Sequence, residues 1–326
     1  MKSKSIFCES RIDYKYENVF SRLDGINTIE GTYLHLLKQL LKSKDSRYHI
    51  RYISYRGKIL TPLRILVIFF VCKLTGSRIL WSCHNIYEHN VPSKRENDFL
   101  RFILCRVSNK IVVFHEDIKK ELPKWAKKKI FVACFGNYRS FIENQNEPNE
   151  EFLKGYQEWL KANNKTNPDI ISVSAAKRNN LKPLILGVQE KKLSTLIIAP
   201  NRKNQILKGQ YKNIFFFSGF VRKELKTILN TREKIIGYIG HDNMSVPTSI
   251  YMYASYGIPI LCLDHKPLNT IIHDYKIGVV VKDSSSIGEC YQNIQKNYDF
   301  YKTNCSHFLE KNSWDRSAEV HAKVFL

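Results

Sequence analysis

The chain has 326 residues, 43% of them hydrophobic and 25% charged, which leaves room for two domains with a substantial core and excludes a disordered or fibrous protein. Its 52 Lys and Arg against 30 Asp and Glu give a net charge of +22, with 27 basic and 15 acidic residues in 1–150 and 25 and 15 in the rest, so no single tail carries the excess. Such a surface favours nucleic acid, an anionic membrane leaflet or phosphorylated substrates.

The first residues, MKSKSIFC, contain no apolar core long enough for a signal peptide. A strand is expected at 5–9, a polar loop at 20–28, and a helix at 30–41 from the spacing of apolar positions 34, 36, 37, 40 and 41. Residues 48–55 alternate as a strand. Residues 63–74 form an apolar helix that Gly76 ends, and 78–83 (RILWSC) is the next strand. The most hydrophobic part, 65–72, is bracketed by Arg64 and Lys73 and is far shorter than the ~20 residues of a spanning helix, which leaves a core helix or one lying in the membrane plane. A loop at 84–92, a helix at 97–107, a strand at 110–114, a short helix at 117–122 and a strand at 129–134 complete the first half. The polar stretch 137–150 is the expected linker. Strands then recur at 169–174, 194–199, 213–218, 234–239, 258–263 and 278–281, followed by a helical tail over 286–324. Strands alternating with helices predict parallel βαβ units in two doubly wound halves facing a cleft.

Eight cysteines are present, with no paired C-x-x-C spacing and several inside apolar runs. Neither a zinc site nor a disulfide framework is expected, and a reducing cytoplasm follows.

Ligands in open α/β sheets bind beyond the carboxyl ends of the strands. In the first half this selects 21–31, with Asp24, Asn27 and Glu30, and 84–92, where His84-Asn85-Ile86-Tyr87-Glu88-His89 packs four polar groups into six residues. His115 and Glu116 follow the 110–114 strand. Group transfer needs a residue that takes a proton from an attacking hydroxyl, and Asp, Glu or His can do so. In the second half the loop 240–249 carries His241, Ser245, Val246, Pro247, Thr248 and Ser249. Pro247 suits a first helical turn, and the hydroxyls of Ser245, Thr248 and Ser249 crowd the free N–H groups there. Such a helix start is an anion site, although the same pattern also describes an ordinary capped helix. Lys177 and Arg178, directly after the 169–174 strand, would supply cations to a diphosphate bound there.

These segments resemble a family. His84 to His89 after RILWSC is similar to the W-T-x-H-N-x-x-x-H segment of bacterial polysaccharide glycosyltransferases with the GT-B fold. Phe135-Gly136-Asn137-Tyr138-Arg139 is similar to their H-G-N-Y segment, and Ser245 to Gly257-Ile-Pro-Ile resembles their donor-domain stretch ending in A-x-x-x-G-x-P-V-I. The resemblance covers roughly 5–325. It implies an α/β GT-B fold of two Rossmann-like domains, with an acceptor domain over 1–140, a nucleotide-sugar donor domain over 141–310, and a C-terminal helix over 311–326 that crosses back to the first. It further implies that Lys177, Arg178, Ser245, Thr248 and Ser249 hold the diphosphate of a UDP- or GDP-hexose, that His84 and Asn85 face the sugar, and that no metal or other cofactor is needed, cations and dipoles stabilising the leaving group. The acceptor would be a saccharide or a polyprenyl-diphosphate-linked saccharide in capsule or other cell-surface polysaccharide synthesis.

One departure bears on mechanism. Aligned on Gly257, the two glutamates of many retaining relatives fall on Met244 and Met252. This favours inversion, with Asp24 or Glu30 as base and Glu88 in reserve, or a non-catalytic partner of the same fold. The distributed charge and the 63–74 helix lead to an expectation of peripheral docking on the inner face of the plasma membrane, each Lys or Arg adding about 1 kcal/mol near an anionic surface. Nucleic-acid binding is the weaker expectation, since no zinc-finger or RNP-type motif accompanies the charge.

Overall fold

Runs of four to six apolar residues become strands here because both faces of a parallel sheet are covered by helices, so β-branched and aromatic side chains are packed on either side. The computed structural model describes residues 4–9, 11–88, 90–144, 147–173, 180–199, 211–219, 221 and 223–326. The chain divides into two units. Unit 1 comprises residues 1–136, 244–246 and 312–326, and unit 2 comprises 137–243 and 247–311.

Unit 1 runs β1 (Lys4–Cys8), α1 (Tyr14–Phe20), β2 (Ile26–Glu30), α2 (Tyr33–Lys42), β3 (Arg47–Ile50), α3 (Leu60–Thr75), β4 (Arg78–Cys83), α4 (Lys94–Val107), β5 (Lys110–Val113), α5 (Glu116–Glu121), a 3-10 turn at Lys124–Lys129 and β6 (Ile130–Val132). The strands form one parallel sheet in the order β2-β1-β3-β4-β5-β6. Right-handed crossovers set α2, α3 and α4 side by side on one face, while α1 lies on the other.

One element is new and two expectations change here. Residues 14–20 form α1, with Asp13 as N-cap accepting from the Tyr16 amide. Residues 26–30 form the edge strand β2 rather than a loop. The strand expected at 48–55 stops at Ile50, where its pairing with Trp81 ends, so Tyr52 lies beyond the carboxyl end of the sheet. In α3, Pro62 falls in the first turn, where its missing N–H removes no helical bond, and Gly76 closes the helix at φ 70°, a left-handed position glycine takes without strain.

Unit 2 contains α6 (Arg139–Glu143), α7 (Glu150–Ala162), β7 (Ile170–Val173), α8 (Lys182–Lys191), β8 (Thr195–Ile198), β9 (Ile214–Phe217), α9 (Lys223–Leu229), β10 (Ile236–Ile239), α10 (Ser249–Ser255), β11 (Ile260–Leu263), α11 (Leu268–Tyr275), β12 (Gly278–Val281), α12 (Ile287–Lys296) and α13 (Tyr298–Lys311). Its parallel sheet has the order β12-β11-β10-β7-β8-β9. The stretch expected to be a linker therefore contains a helix, α6, whose Ile142 is buried.

Helix α10 is apolar because it is core. Residues 250–255 are all buried. The Tyr253 hydroxyl donates to the Ile171 carbonyl (3.1 Å) and accepts from the Val173 amide (2.9 Å), tying the helix to β7. Gly237 on β10 makes room for that ring, since a Cβ there would come within 2.6 Å of it. Burial of a side chain this large contributes about 2 kcal/mol.

The chain ends in α14 (Trp314–Phe325), which belongs to unit 1 and packs on α1. Trp314 lies against Gly136, where any Cβ would come within 2.5 Å of the indole. All eight cysteines are free, seven of them buried.

Candidate functional site

In unit 1, polar side chains gather beyond the carboxyl ends of β1, β3 and β4. The Tyr52 hydroxyl donates to Asp13 Oδ2 (2.7 Å) and accepts from Lys15 Nζ (2.8 Å), which lies 3.6 Å from the same carboxylate oxygen. The Lys15 ammonium also sits over the Tyr52 and Phe135 rings, 5.4 and 5.5 Å from their centroids. Burial lowers the Lys15 pKa, with Asp13 opposing the shift, and burial and Asp13 together push that of Tyr52 up. The Asp13 side chain keeps 35% of its surface exposed, so a ligand can reach it.

His84 lies beside this group in an aromatic cage. Its ring stacks on Phe114 at 4.5 Å and on Tyr52 at 5.1 Å, and its Nε2 is 2.9 Å from the Tyr16 hydroxyl. Burial, reinforced by the Lys15 charge, holds its pKa well below the usual histidine range, so the imidazole is neutral. Glu88 closes the same loop. It is buried, with its amide donating to Asn97 Oδ1 (2.7 Å), and burial raises its pKa to about 7 against a lowering hydrogen bond from Asn85.

A raised carboxyl pKa has a definite sign in stability. Between about pH 4.5 and 7 the unfolded chain has lost the Glu88 proton and the folded chain keeps it, so this group makes stability fall as pH rises through that window. Glu88→Gln is expected to gain about 2–3 kcal/mol relative to the parent between about pH 5 and pH 8. Urea unfolding at the two pH values checks this, and equal pH dependence in both proteins would remove the assignment.

The other expected residues fall differently. Asp24 lies in the turn that returns to the amino end of the sheet, where the Lys4 amide donates to the Gly25 carbonyl (2.8 Å). It is at the wrong edge for a residue beyond the carboxyl ends. Glu30 ends β2 and its carboxylate accepts from the Ile12 amide (2.6 Å), which fixes the loop after β1. Helix α1 makes 9–13, not 21–31, the loop after the first strand, while Glu30 stands at the carboxyl end of the second. His115 caps α5, accepting from the Asp117 amide at 3.1 Å. His89, Lys177 and Arg178 lie outside the described residues.

Ser245 and Val246 are not at a helix start. Ser245 pairs with Asn85 in an antiparallel bridge and the Ile86 amide donates to the Met244 carbonyl (3.1 Å), so 244–246 is tied to the loop after β4 and belongs to unit 1. Backbone committed to that pairing delays the helix. Pro247 precedes it, Thr248 is its N-cap without a side-chain hydrogen bond, and α10 has seven residues. Thr248 and Ser249 are half-buried, and their hydroxyls have no hydrogen-bond partner among the described residues. His241 is buried just past β10, next to Gly240, whose carbonyl accepts from the Asn180 amide (2.6 Å). Among the described residues, no three His, Cys, Asp or Glu side chains come together as metal ligands would.

Asp13, Lys15 and Tyr52, which the sequence does not single out, gather here. Asp13 followed by Glu17 in a first turn was the available sign of α1.

No protein-family model and no curated protein sequence matches the chain. Solved structures match it over its whole length. Anabaena HepE in complex with UDP has a TM-score of 0.65 at 8% identity, covering 99% of this chain and 98% of that one. A glycosyltransferase from Rickettsia africae has a TM-score of 0.64 at 14% identity, covering 100% and 98%. WaaG, a glycosyltransferase involved in lipopolysaccharide biosynthesis, has a TM-score of 0.58 at 11% identity, covering 98% and 99%. The fold is GT-B, two Rossmann-like units with a C-terminal helix.

Proposed function

We propose that the protein transfers a hexose from a UDP- or GDP-linked donor to a saccharide or lipid-linked saccharide acceptor in cell-surface polysaccharide synthesis, with inversion and without a bound metal. The observation that carries this reading is the whole-length likeness to GT-B structures, HepE among them having been solved with UDP-glucose. The donor's diphosphate binds at Pro247, Thr248 and Ser249 with His241, the unpartnered hydroxyls and amides donating to its oxygens, and Lys177 and Arg178 are the cations the sequence offers for the remaining charge. Asn85 and His84 shape the sugar's surroundings.

Inversion is supported by Met244 and Met252 standing where retaining relatives carry carboxylates; Met252 is buried in the core. The reaction is then a single displacement. The acceptor oxygen bonds to the sugar's anomeric carbon, the bond from that carbon to the diphosphate oxygen breaks, and the acceptor's proton passes to a carboxylate. Asp13 takes this role in place of Asp24 and Glu30. It is a half-buried carboxylate beyond the carboxyl end of β1, and Tyr52 and Lys15 orient it.

Incubation with a panel of UDP- and GDP-hexoses, with and without saccharide acceptors, is expected to release nucleoside diphosphate from one donor. The product from an α-linked donor is expected to be β-linked by proton NMR of the anomeric position. Silence across the whole panel would favour a non-catalytic partner, and an α-linked product would overturn inversion.

A further inference from the structure

Helix α3 has sixteen residues, about 24 Å of helix, of which only Arg64 and Lys73 are charged. Its inner side buries Ile65, Ile68 and Cys72 on the sheet. Its outer side is as apolar as its inner one. Leu60, Leu63, Val67, Phe70 and Leu74 recur at helical spacing toward solvent, Phe70 at 61% and Leu74 at 82% exposure, with Ile59 at 73% just before them. The neighbouring helices extend the surface, α2 with exposed Leu34 and Leu41 and α4 with Phe99 and Phe102. Trp125, edge-on to Phe102 at 6.0 Å and under the Arg106 guanidinium at 4.7 Å, stands at its border. An exposed apolar surface of this extent marks an interaction site.

The charge around it selects the partner. From Gly31 to His84 the chain carries ten Lys and Arg and a single acidic residue, Asp45. Lys38, Lys42, Arg56, Lys58 and Lys73 are exposed on or beside α2 and α3, and Lys124, Lys127 and Lys128 flank Trp125. A cavity of about 220 Å³ opens between Tyr55, Lys58, Arg95, Glu96, Phe99 and Leu100, with the Tyr55 hydroxyl bonded to the Glu96 carboxylate. Its two cations adjoin the apolar side chain of Phe99. Among the described residues no helix is long and apolar enough to cross a membrane.

We infer that the α2–α3–α4 face of unit 1 docks on an anionic lipid bilayer, its leucines and phenylalanines entering the headgroup–acyl boundary and Lys58 and Arg95 seating a headgroup phosphate. An exposed apolar stripe with exposed lysines and arginines on and beside its helices is complementary to such a surface. The inference rests on the proposed function only for why the surface is used, namely to meet a lipid-linked acceptor.

Co-sedimentation of the full chain with phosphatidylcholine vesicles, with and without phosphatidylglycerol, tests it. Binding is expected to the anionic vesicles and to weaken about tenfold or more on going from low salt to about 1 M. Leu63→Ser/Phe70→Ser/Leu74→Ser, which alters only exposed positions, is expected to bind about tenfold or more weakly. Lys58→Gln/Arg95→Gln is expected to lose about tenfold on anionic vesicles and little on neutral ones. Both variants are expected to keep the parent's circular dichroism and its turnover of a soluble acceptor, which separates a failure of docking from a failure of sugar transfer. Unchanged binding in both variants, or a concentration-dependent dimer by light scattering that the triple variant abolishes, would overturn the inference, the latter assigning the face to a second copy.

Discussion

Asp13→Asn is expected to lower kcat on the productive donor by about 10²–10⁴-fold, about 3–5 kcal/mol of barrier, while leaving the donor KM near its parental value. The substitution separates chemistry from structure. Asp13 is the N-cap of α1, accepting from the Tyr16 amide, and asparagine caps a helix about as well as aspartate. In the Asn variant Oδ1 keeps the bond from the Tyr16 amide, and the Nδ2 that replaces Oδ2 can donate to the Tyr52 hydroxyl, so the loop and the aromatic cage behind it are kept. What is lost is the ability to take a proton. A merely structural role for Asp13 therefore predicts near-normal turnover in Asp13→Asn and a stability loss in Asp13→Ala. Full kcat in the Asn variant would remove Asp13 as base. Activity is in that case to be sought at Glu88, whose pKa of about 7 suits proton transfer but whose burial keeps an acceptor hydroxyl away in the present arrangement.

That Asp13 was overlooked in the sequence while most of the fold was legible has a physical cause. Strands such as 78–83 and 260–263 are buried on both faces, and their near-continuous apolar runs announce them. Gly76 and Gly257, both at positive φ, end their helices where the sequence marks them. The edge strand β2, INTIE, has no fully buried position and so carries no such signal. Helix α1 has seven residues and buries only Tyr16 and Val19, too few for a helical period to emerge. Missing both shifted the loop after β1 by a dozen residues and with it the choice of base. The bridge from Asn85 to Ser245 joins positions far apart in the chain, so nothing local distinguished Ser245 from a helix cap. Tyr52 was hidden by the alternation of 48–55, which reads as strand past the point where its partner strand ends. The site was thus legible where it sits on core elements and illegible where tertiary pairing decides.

The same crowding behind the site gives unit 1 an acid sensitivity. Tyr16 is edge-on to three histidines, His49 at 5.1 Å, His84 at 5.8 Å and His321 at 6.0 Å, contributed by β3, the loop after β4, and α14. All three are buried and held below the ordinary histidine value, chiefly by that burial, with His321 at about 4. The charged groups facing them are cations. Arg51 lies over the Tyr16 ring at 5.1 Å, and Lys15, with Asp13 as its counter-charge, acts on His84. His49 Nδ1 and His321 Nε2 are buried without a hydrogen-bond partner, so no acceptor waits for a proton there. As pH falls below about 6.5 the unfolded chain binds these protons and the folded chain does not, and stability falls by up to about 1.4 kcal/mol per pH unit for each histidine. The three act in the same direction, against the roughly 5–15 kcal/mol that holds a typical domain. Glu88 acts in the opposite sense over the same range, so Glu88→Gln is expected to steepen the acid loss. His321→Phe keeps a ring against Phe114 and Phe325 and removes one titrating group. It is expected to reduce the loss between about pH 7 and pH 5.5 by about 1 kcal/mol in urea unfolding. An identical pH dependence in the variant would mean that α14 leaves unit 1 before His321 takes up its proton, and would take that histidine out of the acid response.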